Sequence, residues 1–371
     1  MTANNISSLY LHVPFCAAFC HYCDFARQIY RTDAADRWLD AVEKELSGTP
    51  ISSNLETIYI GGGTPSCLNA EQTERLLGLL DPYALTVREY TVECNPELND
   101  EDRIRCFARH GVNRVSIGLQ SSDRGLLRSV NRRHDAADVK RLVHQFFACG
   151  ISNISLDLMY GLPGQTMEQL DDSISFALSC DPKHLSLYSL TVEPGSVFGR
   201  NGVKQIDEDL EADMYERICR MLEHNGFIHY EVSNFALPGY ESVHNTNVWH
   251  YDDFYGIGYG AWGKDSGGRY EHSASLKEYC SDPLYRNYTR LSRNEQMFEM
   301  LMMGLRLQSG VPLSVFASRY GISFAEAFPK AAASLYGSGL LAEKDGYVFC
   351  TAEGWPLLNS VLVEFMEEAG L

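Results

Sequence analysis

The sequence predicts an α/β protein. A partial (β/α)6 TIM-like barrel is expected over residues 1–240 and a connecting region over 241–275. A small C-terminal winged-helix-like α+β domain is expected over 276–371. Three observations carry this. Short β-rich runs alternate with amphipathic stretches, the pattern of βα units on a parallel sheet. Unusual residues cluster just past those runs, where barrels of this kind place their chemistry. The last third changes pattern, to helices followed by a hairpin signal.

Leu9–Val13 is the first strand and leads into a cysteine loop; the amphipathic stretch Ala34–Leu46 follows. Thr57–Ile60 runs into Gly61-Gly62-Gly63-Thr64-Pro65, with Ala70–Leu80 as the next helix. Tyr90–Cys94 carries Glu93 and leads to Asn95-Pro96. Arg114–Ile117 runs into Gly118-Leu119-Gln120-Ser121, ahead of the helical Ala137–Cys149. Ile154–Met159 holds Asp157 and ends at Tyr160-Gly161-Leu162-Pro163, before Met167–Leu178. His184–Ser189 is the sixth strand. Asp207–Asn225 reads as a further helix, Tyr230–Ala236 as an added strand, and Tyr255–Gly268 as a glycine-rich loop. From Arg293 the pattern is helical, broken at Gly310 and Gly321. Within Gly339–Phe349, Asp345-Gly346 between apolar runs signals a hairpin.

Composition narrows the function classes. The chain has 371 residues, 45% hydrophobic and 22% charged, enough for a barrel-sized domain and a smaller one. Its formal net charge is −18, so a nucleic-acid partner is not expected. Met1–Ser8 is polar and no run is long and apolar enough to span a bilayer, so the sequence predicts a cytoplasmic protein without a transmembrane segment. Eleven cysteines without an export signal point away from a disulfide framework.

Cys16, Cys20 and Cys23 stand at C-x3-C-x2-C spacing. A short loop can present three thiolates to an iron–sulfur cluster and leave one iron free of protein ligands. Zinc competes on spacing alone, with His12 and His21 nearby, and three core cysteines are the plain alternative. Phe19, Tyr22 and Phe25 interleave the cysteines and would dry the site. Each strand-end motif has a plain alternative too. A lone Gly-Gly-Gly is a tight turn, Glu93 a capped or solvated acid, Arg132 a surface arginine beside Arg133. Asp157, between Leu156 and Leu158, is costly to bury without a partner.

Together these motifs resemble the radical SAM superfamily. The resemblance implies a [4Fe-4S] cluster on Cys16, Cys20 and Cys23, with S-adenosylmethionine (SAM) chelating the open iron and cleaved by electron transfer to a 5′-deoxyadenosyl radical. It places Gly62, Gly63 and Thr64 at the methionyl end of SAM and Glu93 at its ammonium. Gln120 and Asp157 fall at the ribose, Arg132 at the carboxylate and Tyr22 near the adenine. Tyr10 joins this SAM set; no catalytic residue is assigned.

Leu9–Cys16, Gly61–Pro65, Val92–Pro96, Arg114–Gln120 and Asp157–Pro163 look like the coproporphyrinogen dehydrogenase/HemW family, over nearly the whole chain. Dehydrogenases of that family resemble C-x3-C-x2-C-x-C and carry a longer N-terminal extension; here Phe25 takes the place of the further cysteine. Cys23-Asp24-Phe25 looks like the HemW-like haem chaperones instead. That resemblance implies haem or another tetrapyrrole as ligand, haem-receiving apo-proteins as partners, and leaves a homodimer open. The HemW-like H-N-x-x-Y-W motif is matched by His244-Asn245-Thr246-Asn247-Val248-Trp249, with Val248 for the tyrosine, and Trp262 stands where a histidine is expected. His244 is the candidate haem ligand; its alternative is a loop histidine bonded to backbone. Three functions are therefore held side by side: haem chaperone, oxygen-independent coproporphyrinogen III dehydrogenase, and a radical SAM enzyme of haem use.

Overall fold

The computed structural model describes residues 6–98, 100–273 and 275–371; most of the polar stretch Met1–Ser8 lies outside them. Six parallel strands form the body: β1 (Ser8–Val13), β2 (Thr57–Gly62), β3 (Glu89–Cys94), β4 (Arg114–Gln120), β5 (Asn153–Tyr160) and β6 (His184–Ser189). Each pairs with the next in sequence order. Between them run the helices α1 (Thr32–Gly48), α2 (Ala70–Leu80), α3 (Glu101–Arg109), α4 (Arg124–Ser129), α5 (Ala136–Ala148) and α6 (Met167–Leu178). Their starts are written locally: Asn69, Asp135 and Thr166 close capping boxes on α2, α5 and α6. Apolar faces of these helices bury Trp38, Leu77, Phe146 and Ile174 against strand residues such as Leu11, Ile58 and Leu156 in one continuous core.

After β6 come α7 (Val197–Arg200) and α8 (Glu208–His224). The expected strand Tyr230–Ala236 is instead two, β7 (Ile228–Glu231) and β8 (Asn234–Ala236), which fold back antiparallel on each other and on β6. Then follows α9 (Val243–Trp249). The glycine-rich stretch expected as a loop also carries strands: β9 (Phe254–Ile257) pairs parallel to β1, and β10 (Trp262–Asp265) and β11 (Gly268–Glu271) continue the sheet antiparallel. The glycines there serve close approach rather than flexibility. A Cβ on Gly256 would fall 1.9 Å from the Trp262 carbonyl oxygen, and one on Gly263 2.2 Å from the Tyr270 ring. The segment 276–290, which the sequence groups with the C-terminal unit, holds α10 (Leu276–Ser281) and β12 (Asn287–Arg290), and β12 edges the large sheet.

The remaining chain forms α11 (Arg293–Gly304), β13 (Val311–Pro312), α12 (Leu313–Tyr320), α13 (Phe324–Ala327), α14 (Pro329–Gly337), β14 (Leu341–Lys344), β15 (Tyr347–Cys350) and α15 (Leu358–Ala369). Its three-stranded antiparallel sheet has the order β13-β15-β14. The β14–β15 turn is Asp345-Gly346, both left-handed at φ 53° and 81°, as a two-residue hairpin requires. Phe316, Phe324, Phe328 and Phe365 pack edge-on or tilted in a second core. Among the described residues no helix is long and apolar enough to cross a membrane.

Candidate functional site

The C-terminal ends of β1 to β6 open into a cavity of about 510 Å³. Cys16, Cys20 and Cys23 line it from the loop after β1. Cys16 is buried and the other two half-buried, and all are free thiols. Thr64 Oγ1 lies 3.6 Å from Cys16 Sγ and Arg132 Nη1 3.9 Å from Cys20 Sγ. A Cβ on Gly63 would meet Phe15 O at 2.8 Å and Cys16 Sγ at 3.0 Å, so only glycine lets the backbone of the second loop lie this close. Burial pushes the Cys16 thiol up to about 11. Binding iron as thiolate therefore releases protons.

The donor set fits a cluster better than zinc. Ligands at about 2.3 Å around one zinc put sulfurs about 3.8 Å apart. The three sulfurs do not all lie within 4.8 Å of one another, and among the described residues the one set of three such ligands that does is Glu74, Cys106 and His110 on the outer helices. Nor do the nearby histidines join: His12 is held by Tyr10 and the Ala26 carbonyl, and His21 Nδ1 by the Ser129 carbonyl.

Most of the residues expected at SAM converge on the same cavity. Gly62, Gly63, Thr64, Glu93, Gln120, Arg132, Asp157 and Tyr22 all line it. Glu93 accepts from Tyr59 OH at 2.8 Å and from Gly62 N, at φ 112°, at 3.2 Å. Burial, helped by Asp157, pushes its carboxyl up to about 7, so a ligand ammonium there would restore its charge. Asp157 accepts two 2.9 Å contacts from Ser116 Oγ, and burial raises it also. Arg132 is buried, donates to Gly118 O at 2.8 Å and faces Glu97 at 3.4 Å. Burial works against the Glu97 charge, but the His134 bond and Arg132 hold its carboxyl down at about 2. Gln120 follows a bulge in β4 and sits at φ 62°, a strained backbone for a side chain that faces a site. Tyr10 stands apart: its hydroxyl meets His12 Nδ1 at 3.0 Å and its ring lies 6.1 Å from Tyr59, outside the lining.

Sequence reasoning missed Tyr59, Arg114, Ser116, Ser186 and Tyr188, which also line the cavity. Strand alternation was the signal for them. Arg114, Ser116 and Gly118 are spaced by two along β4 and line the cavity, and Gln120 lines it from beyond the bulge.

His244 lies elsewhere. It is buried in α9, with Nδ1 2.9 Å from Thr57 Oγ1 at the start of β2 and its ring 5.1 Å from that of Tyr59. Glu89, at the start of β3, accepts from the backbone N of Val243 and His244 and from Ser242 Oγ. Helix α9 thus closes the barrel at the strand ends opposite the cysteines, and Asn245 alone of its residues lines the cavity. Burial, with Arg114 nearby, lowers His244 to about 3.

Comparison with known proteins agrees with this geometry. The model of the radical SAM superfamily matches residues 10–177, and that of the HemN C-terminal domain residues 291–357. The chain is 38% identical to the heme chaperone HemW of Lactococcus lactis over 97% of both chains. It is 36% identical to the heme chaperone HemW of Bacillus subtilis, over 98% of this chain and 100% of that one. Its fold matches the radical SAM coproporphyrinogen III oxidase HemN of Escherichia coli with a TM-score of 0.83 and 24% identity, covering 96% of this chain and 89% of that one. Radical SAM membership implies a [4Fe-4S] cluster and SAM. On relatives that match it nearly end to end, the chain belongs to the HemW family of radical SAM proteins.

Proposed function

We propose that this protein is a haem chaperone, which carries a cluster and SAM, binds haem and passes it to haem-free acceptor proteins. The observation that carries the reading is the end-to-end similarity to relatives named heme chaperones. Phe25 supports it. This ring occupies the place of the dehydrogenases' further cysteine and stands 65% exposed at the cavity rim.

Cys16, Cys20 and Cys23 would hold the cluster, which would supply an electron to SAM bound in the cavity. The chain's own residues orient that ligand. Glu93 takes its ammonium, Arg132 its carboxylate, and Gln120 and Asp157 its ribose, while Tyr22 covers the adenine. His244 is the candidate axial haem ligand in this reading. Its Thr57 contact leaves Nε2 for iron, and α9 must shift off the strand ends to expose it. A homodimer remains compatible with the open edge at β12, whose residues are all exposed.

The test is an anaerobic incubation of cluster-loaded protein with SAM, reductant and coproporphyrinogen III, beside a haem titration and transfer to an apo-haem protein. The expected result is tight haem binding, transfer, and no protoporphyrinogen. Turnover to protoporphyrinogen would replace this reading with the dehydrogenase.

A further inference from the structure

Directly behind the cluster loop lies a face whose charge opposes that of the whole molecule. The chain has 49 acidic against 31 basic residues. Yet α4 and the turn into α5 gather Arg124, Arg128, Arg132, Arg133 and His134 around a cleft of about 340 Å³, with Asp135 the one acid lining it. Arg124 pairs with Asp135, and Arg132 with Glu97. Arg128 and Arg133 are exposed and, among the described residues, make no side-chain ion pair. In so acidic a chain, two adjacent unpaired arginines leave a local positive field.

That face is one side chain away from the cysteines. Arg132 lines both the cleft and the main cavity, with Nη1 3.9 Å from Cys20 Sγ. Asn131 Nδ2 donates to Phe19 O at 2.7 Å, and the backbone N of His21 donates to Val130 O at 3.1 Å. The cluster loop is therefore strapped to the end of α4, and a molecule seated on Arg128 and Arg133 has a short packed path to Cys20.

We propose that this face docks a small acidic one-electron carrier protein that reduces the cluster. The inference rests on the cluster assigned to Cys16, Cys20 and Cys23. One electron leaves the carrier's reduced centre and enters the cluster, which passes from [4Fe-4S]2+ to [4Fe-4S]+; no bond or proton moves. An acidic carrier is repelled by most of this chain and attracted here, so long-range charge selects the orientation with the shortest electron path. Such transient redox contacts need little buried area. An anionic membrane would meet the same charges, but the contacts to Cys20 and Phe19 favour the carrier.

The test uses the full cluster-loaded chain and its R128E/R133E variant in stopped flow, with reduced flavodoxin as carrier and reduced methyl viologen, a small cation, as control. At low ionic strength flavodoxin should reduce the variant roughly tenfold or more slowly than the parent. That gap should close as salt shortens the screening length, and viologen should reduce both equally. The milder R128Q/R133Q variant should fall between. An unchanged flavodoxin rate would overturn the proposal, and so would equal slowing with viologen. Charge-dependent binding to phosphatidylglycerol vesicles with an unchanged flavodoxin rate would give the face to membranes. A parent chain that takes up no iron fails before any carrier is added, which separates failure of the cluster assignment from failure of the docking site.

Discussion

Glu93 holds a carboxyl beside Asp157 at the cavity wall, with its proton retained up to about pH 7 against the usual 4.5. Between those values the folded chain binds this proton more tightly than the unfolded chain does. Its contribution to stability is therefore fully present at the acid end and is lost as pH rises through 7, on the order of 3 kcal/mol in total. SAM reverses the preference, because its ammonium needs the ionised form. Two measurements follow from one substitution. Glu93→Gln should flatten the fall in urea midpoint between pH 5 and 7 when SAM is absent. It should also weaken SAM binding at pH 8 by roughly ten- to a hundredfold, the range for a lost charge-assisted bond. A variant whose midpoint kept the parent's pH slope would place the titrating group elsewhere. Cys20→Ala makes a simpler demand: iron content and cluster absorbance should collapse while the barrel stays folded, since Cys20 is half-buried and packs no core. Full iron in that variant would refute the ligand assignment.

Helix α9 shows how an element can be legible as a motif and opaque as a structure. Its sequence, with His244, Asn245 and Trp249, reads as a ligand-bearing segment, whereas in the fold it stoppers the barrel. Asn247 Nδ2 reaches Ser8 and Glu56, His244 reaches Thr57, and Glu89 receives the helix N-terminus. Glu89→Gln should cost about 2–4 kcal/mol, because the amide can accept at only one of the two carboxylate oxygen positions and sets its NH2 against a donor at the other. The check is hydrogen exchange, with protection lost first over 242–251. His244→Ala should weaken haem binding, and Thr57→Val separates ligand from packing: it removes the Nδ1 contact but leaves the imidazole. Haem affinity kept in both variants would remove His244 from the ligand set. The six barrel strands were legible because alternation and a following amphipathic helix specify a βα unit locally. So was the gathering of the strand-end motifs around one cavity, because βα units put them on one rim. Strands β9 to β11 were not. Their glycines answer to contacts from distant chain, such as the Thr289 carbonyl oxygen 2.2 Å from a Cβ on Gly268, and no local pattern records that.

The molecule as a whole has two ends with different duties, the cysteine rim and the stoppered end, and its C-terminal unit attaches at the second. Arg306 lies 4.5 Å over the Trp249 ring and 3.5 Å from Glu231, whose side chain is fully buried. Tyr251 donates to Glu299 at 2.8 Å, and Arg319 faces Asp252. The last residue of α9 is thus clamped by the C-terminal unit, and any movement of α9 that exposes His244 must work against that clamp. Arg306→Ala strips Glu231 of its cation in a site where burial already raises its carboxyl. Breaking a buried pair from one side costs about 3–5 kcal/mol, less here because Arg306 is partly exposed. The loss should be local in a telling way. Protection from hydrogen exchange should fall in 228–236, 243–251 and 293–365, while iron content and cluster absorbance stay at the parent's level. Haem uptake should then become faster if release of α9 admits the ligand. A variant that lost its cluster in step with its C-terminal protection would show instead that the barrel's two ends open as one cooperative unit.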